Sequence, residues 1–419
     1  MLIKVPFDLM RRSLSVEVPD KAFESFIKPA NVDAFEELSY IRAKLRRELE
    51  LRGGKRIERA AILIDDHTRP TPTNQLLPLI IEELQSLGVK DLDVILALGT
   101  HEAPPPEYLD MKIEPSLRSK VNFTLHNAYD KDLHRFVGIT RFGTPLWLNK
   151  QFVEADFSIG VGSIFPSEVA GFTGGGKIVL PGIASYETIN RNHSMTLSPK
   201  VDVGKLNDNV VRADIDDAAK IAGLDLIVDV VLDCKGSIVE AFVGDPIASH
   251  REGVKLCSRI YRVKRPRRRA DIVIASPGGT EDIDFVQAIK ALTVAKKLCK
   301  DDGVIILAAA CPLGAQWPEL EDYVARAREA RYSREEVVLD VVKGRVEAVA
   351  GGMVYRLYDL FIEGRPRVVM VSRSEMADTC AKLGFTWHED LQEAVDEELS
   401  RRRRPRVVVA PFAAYTWVY

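Results

Sequence analysis

The residues best suited to chemistry directly follow strand-like apolar runs. One such run ends in IDDHTRPTPTN (64–74), which brings Asp66, His67 and Arg69 together, with two prolines stiffening the turn. An arginine can hold a carboxylate through two parallel hydrogen bonds, and an aspartate can orient a base or accept a bond from a hydroxyl. A helix N-cap with an Asp–Arg pair is the alternative. The segment therefore predicts either a ligand site or a capped helix start.

A second run ends in ALGTHEAPPPE (97–107), where Gly99 frees the backbone and His101 comes straight after the strand end. The ordinary pKa of an imidazole, about 6.5, suits general acid–base chemistry. A structural loop histidine is the alternative. Because ligands collect at the carboxyl ends of strands in α/β sheets, His101 is a candidate for the same site as Asp66.

The segment EVAGFTGGGKIVLPGIA (168–184) contains the spacing G-x-x-x-x-G-K between Gly171 and Lys177, which begins a phosphate-binding loop. That motif continues with Ser or Thr to hold magnesium, but here Ile178 follows, and Val-Leu-Pro-Gly stands where a helix should open. A nucleotide triphosphatase is therefore disfavoured. What remains is a glycine-rich loop that can approach phosphate, with Lys177 as a nucleophile or covalent tether. A tight turn with a solvated lysine is the alternative.

Two further candidates lie downstream. His193, in ETINRNHSM (187–195), is a suitable ligand for nickel, zinc, copper or iron. Since no other His, Cys or paired carboxylate stands at metal-ligand spacing, one histidine would have to complete a metal whose other ligands come from an organic cofactor. In DIDFVQAIKAL (282–292), Gln287 and Lys290 share one face if the segment is helical, and a lysine there would suit an anionic substrate. A surface Gln–Lys pair is the alternative.

Composition sets the class of protein that carries these residues. The 419 residues are 46% hydrophobic and 28% charged, with a net charge of −3, so neither disorder nor binding to nucleic acid or a membrane surface is expected. Five cysteines without a C-x-x-C pair indicate a reducing compartment. The start of the chain carries no apolar core of signal-peptide length, and we expect a cytoplasmic protein.

The order of apolar runs and helical patterns predicts an α/β fold. A break at RVKRPRRRAD (262–271) predicts two α/β domains with largely parallel sheets, one spanning residues 1–265 and one spanning 270–419. With His101, Lys177 and His193 on the first domain and Gln287 and Lys290 on the second, the expected active site lies in the cleft between the domains.

Taken together, DDHTRPTP, LGTH, GFTGGGKxxLPG, the Asn-His pair at 192–193 and QAIKAL resemble, in this order and spacing, the lactate racemase family. The resemblance covers nearly the whole chain. It implies a nickel-pincer nucleotide as the cofactor, a pyridinium mononucleotide with thioacid and thioamide arms (pyridinium-3,5-bisthiocarboxylic acid mononucleotide with nickel). The cofactor-synthesis enzymes would then be partners of this protein.

The resemblance also implies roles for single residues. Lys177 matches the tethering position and His193 the nickel ligand, while Thr68, Gly174, Gly175 and Gly176 are expected beside the cofactor. His101 matches one of two acid/base histidines. The polar residues that surround nickel and substrate in the family are matched by Asp66, Arg69, Gln287 and Lys290.

The activity implied is that of an isomerase, a racemase or C2-epimerase of a 2-hydroxy acid. In the family a base removes the hydroxyl proton while the Cα hydride moves transiently to the pincer, and the 2-oxo acid takes the hydride back on its other face. The second acid/base histidine of the family would stand ten residues before Lys177, and that position is Ser167. Either Glu168, His67 or another residue substitutes, or the substrate differs from lactate. A non-catalytic carrier of the cofactor is the alternative function.

Overall fold

The strands alternate with helices along most of the chain in a computed structural model that describes residues 1–33, 35–52 and 57–419. In chain order the strands are β1 (Leu2–Phe7), β2 (Arg12–Glu17), β3 (Phe23–Phe26), β4 (Arg59–Asp65), β5 (Asp91–Ala97), β6 (Asn122–Leu125), β7 (His134–Ile139), β8 (Pro145–Asn149), β9 (Phe157–Ser163), β10 (Pro166–Ser167), β11 (Gly171–Phe172), β12 (Leu226–Leu232), β13 (Ile238–Gly244), β14 (Arg262–Val263), β15 (Ala270–Ala275), β16 (Cys299–Ala308), β17 (Arg367–Val371), β18 (Thr386–His388), β19 (Val407–Ala410) and β20 (Trp417–Val418).

The helices differ widely in length, and the longest of them flank the sheets. In chain order they are α1 (Leu38–Leu51), α2 (Thr73–Ser86), α3 (Pro106–Lys112), α4 (Pro115–Arg118), α5 (Lys150–Val153), α6 (Tyr186–Ser194), α7 (Val210–Ala222), α8 (Ala248–Tyr261), α9 (Phe285–Ala288), α10 (Lys290–Leu298), α11 (Pro318–Glu329), α12 (Arg334–Val342), α13 (Ala348–Arg356), α14 (Ala377–Leu383) and α15 (Leu391–Ser400). No helix of the described residues is both long and apolar enough to cross a membrane.

The chain divides into two units. The middle unit, Asn31–Ile260, contains a six-stranded sheet in the order β13-β12-β9-β4-β5-β6. Its strands run parallel except for β13, which pairs antiparallel with β12. The central strands β4 and β9 are buried along almost their whole length, which is why they read as continuous apolar runs rather than alternating ones.

The order of these strands determines where the middle unit can bind a ligand. From β4 the chain continues to β5 on one side, whereas β9 leads to β12 on the other, so the direction of winding reverses between β4 and β9. A crevice at the carboxyl ends of strands is expected at such a reversal. The segments that follow β4 and β9 are the two that carry Asp66 and Lys177.

The terminal unit consists of Met1–Ala30 and Tyr261–Tyr419. Its sheet has the order β18-β17-β16-β15-β19-β3, and every pair in it is parallel. One face packs on α10, α11 and α13, with side chains such as Leu292, Val324 and Met353 in the core. The other face is covered by the β1–β2 hairpin and α15.

This division differs from the expected one at the beginning of the chain. The first 30 residues lie in the terminal unit because β3 pairs with β19 and because Ile3, Val5 and Val16 of the hairpin bury the sheet face that contains Ile274 and Val409. Sequence patterns do not reveal such a pairing, since the partners are almost 400 residues apart. The predicted α/β class with largely parallel sheets in two domains is confirmed.

Candidate active site

The first part of the site is a hydrogen-bonded aspartate and histidine at the carboxyl ends of β4 and β5. Asp66 follows β4 and is buried, and its Oδ2 lies 2.7 Å from Nδ1 of His101. Its Oδ1 accepts the backbone N–H of Thr68 at 2.8 Å and the Thr68 hydroxyl at 2.5 Å. His101 is held in a tight turn in which its own N–H donates to Leu98. The prediction that the two segments meet at one edge of the sheet is therefore met by the geometry.

The charges around Asp66 favour its ionised form. Burial on its own would raise the pKa of this carboxyl, but His101, Arg69 and His67 hold the pKa well below its usual range. An ionised Asp66 accepts the Nδ1–H of His101, which leaves the lone pair of the imidazole on Nε2. The His101 side chain is 29% exposed, so Nε2 belongs to a ring that solvent and small molecules can reach. This arrangement suits a general base.

The structure also resolves the alternative for the Asp–Arg segment. Asp66 is not a helix N-cap, because α2 begins at Thr73 with Pro72 as its N-cap residue. The Asp66 side chain instead closes a turn onto Thr68 within the loop, and Arg69 contributes a positive charge close enough to lower the pKa of Asp66. The role of Arg69 as a carboxylate clamp stays a prediction.

His67 is poorly suited to this chemistry. Its side chain is buried, its ring lies 6.2 Å from the Tyr108 ring, and its Nδ1 has no hydrogen-bond partner. Burial lowers the pKa of His67 to about 4, with further lowering by His101, so the ring is neutral near pH 7. A base with so low a pKa is poorly matched to proton transfer at neutral pH. Of the two substitutes named for the missing family histidine, His67 is the weaker.

The glycine-rich segment after β9 forms a short hairpin, β10 and β11, followed by a 3₁₀ turn over Gly175–Ile178 that carries Lys177. The turn does not lead into an α-helix. This agrees with the expectation from Ile178 and the residues after it, which do not suit a helix start. The N–H of Gly175 donates to Asp229 Oδ2 at 2.6 Å. Lys177 itself is only partly buried. The loop is thus bound to the protein interior, with the lysine at its outer end.

Ser167, at the position of the absent family histidine, serves the local backbone. It is buried, and its Oγ accepts the N–H groups of Val169 and Ala170 at 3.3 and 3.4 Å. Glu168 follows it at the tip of the hairpin and is half-buried. A hydroxyl that closes a turn is a poor proton-transfer group, so Ser167 does not replace the histidine. Because the pKa of His67 is lowered to about 4, Glu168 is the stronger of the two named substitutes.

His193 lies on α6, which Ser185 caps by accepting the Thr188 N–H. The ring is buried, and its Nδ1 lies 3.1 Å from the Ile189 carbonyl oxygen, to which it donates one turn earlier in the helix. This bond places the proton on Nδ1 and the lone pair on Nε2, the tautomer that a metal ligand requires. The neighbouring Asn192 anchors α6 to α7 by donating to Asp214 at 2.7 Å.

In the terminal unit, Gln287 and Lys290 meet, although the helix is interrupted between them. Gln287 lies on α9 and Lys290 begins α10. The Lys290 Nζ donates to Gln287 Oε1 and, at 2.8 Å, to Glu281 Oε2. Sequence reasoning missed Glu281, which comes from the 3₁₀ turn after β15 and has no periodic relation to Lys290. Gln287 and Glu281 are buried and Lys290 is partly buried, so this is a built cluster rather than a surface Gln–Lys pair.

Sequence profiles of two protein domains match the chain. The profile described as "Lactate racemase N-terminal domain" matches residues 9–204, and that described as "Lactate racemase C-terminal domain" matches residues 265–411. The chain belongs to the lactate racemase family. Its membership supports an isomerase of the racemase type. No group of three or more His, Cys, Asp or Glu side chains in the described ranges could hold a metal ion.

Individual relatives agree with this assignment. The chain is 30% identical over 406 residues to a lactate racemase from Thermoanaerobacterium thermosaccharolyticum, covering 94% of this chain and 93% of the relative. It is 35% identical over 264 residues to a lactate racemase from Lactiplantibacillus plantarum, covering 62% of this chain and 61% of that relative. The apoprotein structure of the T. thermosaccharolyticum enzyme superposes with a TM-score of 0.85 at 28% identity over the full length of both chains. A Thermotoga maritima protein shares the fold, with a TM-score of 0.73 at 18% identity, covering 93% of this chain and all of that one.

Proposed function

We propose that this protein is a racemase or C2-epimerase of a small 2-hydroxy acid and that it uses a nickel-pincer nucleotide. Lactate is the first substrate to test, because the relatives are named lactate racemases. The observation that carries the proposal is the hydrogen bond between ionised Asp66 and His101 at the carboxyl ends of adjacent strands. Such a pair provides an oriented base at the edge of the sheet where α/β proteins bind ligands.

The residues present fit the proposed cofactor. His193 offers one imidazole nitrogen in the tautomer that binds a metal, and Lys177 offers an amine at the end of a firmly held loop. A single imidazole binds a metal weakly unless other ligands complete the coordination, and a pincer would supply them. The 3₁₀ turn that carries Lys177 and the helix α6 that carries His193 both pack on α7, so one element supports both residues.

The proposed work of the chain is to move protons and hold the substrate. His101 Nε2 accepts the proton of the substrate hydroxyl, and the Asp66 carboxylate stabilises the imidazolium that results. Arg69 would hold the substrate carboxylate in a bidentate pair. The nickel-pincer nucleotide, when bound, supplies reversible acceptance of the Cα hydride. After inversion the hydroxyl proton must be returned, and Glu168 is the residue that we assign to the second proton transfer.

The cluster in the terminal unit supports binding of an anionic substrate. Glu281 accepts a hydrogen bond from Lys290 and fixes the direction of its ammonium group, and Gln287 accepts a second bond from the same nitrogen. A lysine held in this way keeps one remaining N–H for a carboxylate or hydroxyl oxygen. Contact of Gln287 and Lys290 with the substrate stays a prediction.

The test is to co-produce the protein with the pincer-synthesis enzymes and to measure intact mass and nickel content. A covalent adduct is expected in the wild type and absent in Lys177→Ala, whereas His193→Ala should keep the adduct and lose nickel. The purified proteins are then incubated with single enantiomers of 2-hydroxy acids, and chiral chromatography follows inversion. A Lys177→Ala protein with full activity would refute the proposal, as would a wild type without adduct beside a racemase that is loaded in parallel.

The alternative function, a non-catalytic carrier of the cofactor, is favoured by one observation. Ser167 stands where the family has an acid/base histidine, and its hydroxyl is engaged by two backbone N–H groups. The carrier hypothesis predicts an adduct and nickel without inversion of any 2-hydroxy acid. Inversion of a single substrate by the wild type, and its loss in His101→Asn, would exclude it.

A further inference from the structure

Three buried ionisable side chains bind the backbone that leads to Lys177. They come from three separate elements, Arg212 from α7, Asp229 from β12 and His250 from α8, and all of them approach the segment Ala170–Gly175. Backbone groups in a loop are normally satisfied by solvent or by neighbouring backbone. Here the β10–β11 pairing satisfies only part of the segment, and buried side chains bind further backbone groups.

Arg212 makes the largest number of these contacts. The side chain is fully buried, and its guanidinium donates to the carbonyl oxygens of Ala170 at 3.2 Å, of Phe172, and of Gly174 at 3.3 Å. Its charge is partly balanced by Asp216, whose Oδ1 lies 3.6 Å from Arg212 Nη1. The planar guanidinium has five N–H donors in fixed directions, so bonds to three carbonyls restrict the segment along its length.

Asp229 and His250 hold the remaining polar groups. Asp229 Oδ2 accepts the Gly175 N–H at 2.6 Å, and His250 Nε2 donates to the Thr173 carbonyl at 2.8 Å. Burial and the nearby Arg212 keep the pKa of His250 well below its usual range, so the ring is neutral. The Thr173 hydroxyl also donates to the Ser163 carbonyl at 2.6 Å, which ties the segment back to the end of β9.

Packing explains the three glycines before Lys177, and two of them face the same side chains. A Cβ on Gly174, at φ +76°, would stand 2.6 Å from Asp229 Oδ2, and one on Gly175, at φ +60°, would stand 3.0 Å from the His250 ring. A Cβ on Gly176 would stand 2.8 Å from the Ala219 Cβ on α7. Glycine is thus needed here because protein atoms fill the space, as well as for the backbone conformation of two of the three residues.

We propose that Arg212, Asp229 and His250 are positioning residues that fix the segment Ala170–Gly175 and thereby set the place and direction of the Lys177 amine. Their role is to make the tether rigid, and they do not themselves touch substrate or cofactor. The inference deepens the proposed function, because the value of a rigid amine rests on Lys177 carrying the cofactor. Rigidity of the segment can nevertheless be measured on the protein without cofactor.

The test compares Asp229→Leu, which removes the acceptor for the Gly175 N–H, with Asp229→Asn, which keeps an oxygen in the same place. The matched control is Asp93→Leu, which removes another buried carboxylate of the middle unit, one that is bound to Arg59 and Asn122 at the opposite end of the sheet. Hydrogen exchange of the peptide 171–177 is measured in the protein without cofactor. Adduct formation at Lys177 is measured by intact mass after co-production with the synthesis enzymes.

Loss of this hydrogen bond should speed exchange of peptide 171–177 about tenfold in Asp229→Leu, relative to peptides in β4 and β5. Asp229→Asn should restore wild-type exchange of the segment, and the control should leave it unchanged. The adduct fraction should fall in Asp229→Leu and return in Asp229→Asn. Equal exchange of 171–177 in all variants would overturn the proposal, as would a loosened segment that keeps its full adduct fraction. A wild type without adduct would count against the proposed function only, since exchange still reports on the clamp.

If Asp229→Leu does not fold, His250→Leu provides a second variant. It removes the ring N–H that donates to the Thr173 carbonyl, while leaving Arg212 and Asp229 in place. Faster exchange confined to the segment and a lower adduct fraction are again the expected results. Unchanged values of both would contradict the proposal.

Discussion

Replacing Asp229 by asparagine should change the way in which the stability of the protein depends on pH. The carboxyl is buried in β12, and burial together with the nearby Asp65 carboxylate raises the pKa of Asp229 to about 7, despite the bond from the Gly175 N–H and the charge of Arg212. In an unfolded chain the same group has an ordinary pKa of 3.8. The folded protein therefore holds this proton more tightly than the unfolded chain does.

The sign of the effect follows from this difference. Between about pH 4 and pH 7 the folded chain binds more protons at Asp229 than the unfolded chain, so its contribution to stability falls as the pH rises. The two pKa values differ by about 3, and each unit corresponds to about 1.4 kcal/mol. The stabilisation that is present at low pH and lost above pH 7 is therefore about 4 kcal/mol. Between pH 5 and pH 7 the loss should be about 2 kcal/mol, and it approaches about 3 kcal/mol by pH 8. Asparagine cannot ionise and keeps an oxygen for the Gly175 N–H, so Asp229→Asn should not suffer this loss.

Urea unfolding of the protein without cofactor, followed by circular dichroism at pH 5, 6, 7 and 8, measures the effect directly. The free energy of unfolding of Asp229→Asn, minus that of the wild type, should rise by about 3 kcal/mol from pH 5 to pH 8. The control Asp93→Asn alters a buried carboxylate that is paired with Arg59 and should show no such rise. A difference between Asp229→Asn and wild type that stays constant over this range would refute the reasoning.

Three further predictions concern activity. Asp66→Asn should lower kcat about 10²- to 10⁴-fold with little change in KM, because the amide no longer favours the His101 tautomer with its lone pair on Nε2. Steady-state racemisation kinetics measure both constants, and a wild-type kcat in the variant would contradict the prediction. Glu281→Gln should raise KM for the 2-hydroxy acid about tenfold with kcat nearly unchanged, because the Lys290 ammonium loses the charged partner that fixes its direction. A lower kcat at constant KM would argue against a binding role. Glu168→Gln should lower kcat about 10²-fold starting from either enantiomer, and equal rates in variant and wild type would remove Glu168 from the proton transfer.

The sequence was most informative about elements and residues that depend on local pattern. The buried strands β4, β5 and β9 appear as apolar runs, and the polar residues after them, Asp66 and His101, were expected at one edge of the sheet and are hydrogen-bonded there. Strand ends were predictable because a strand stops where apolar residues stop. The partner of each strand is a long-range property, and so the pairing of β3 with β19 was not foreseen.

The residues that sequence reasoning missed share a physical feature. Arg212, His250 and Glu281 act on groups that are distant along the chain, such as the Thr173 carbonyl that binds His250, and no spacing connects the partners. Asp229 did carry a signal, since a lone aspartate inside the apolar run LIVDVVL must be satisfied by a partner when the strand is buried. Its partner, the Gly175 N–H, could be found only from the fold.

The G-x-x-x-x-G-K spacing shows how one pattern can serve two physical purposes. In a phosphate-binding loop, glycines let backbone N–H groups approach an anion, and a helix follows. In this chain the N–H of Gly175 donates to Asp229, a 3₁₀ turn follows, and the faces of Gly174 and Gly175 that lack a side chain are occupied by Asp229 and His250. Glycine-rich sequence alone therefore does not indicate an anion site. What distinguishes the two cases is whether the loop N–H groups already have acceptors, and a buried aspartate in the adjacent strand is the feature that a sequence can offer for that decision.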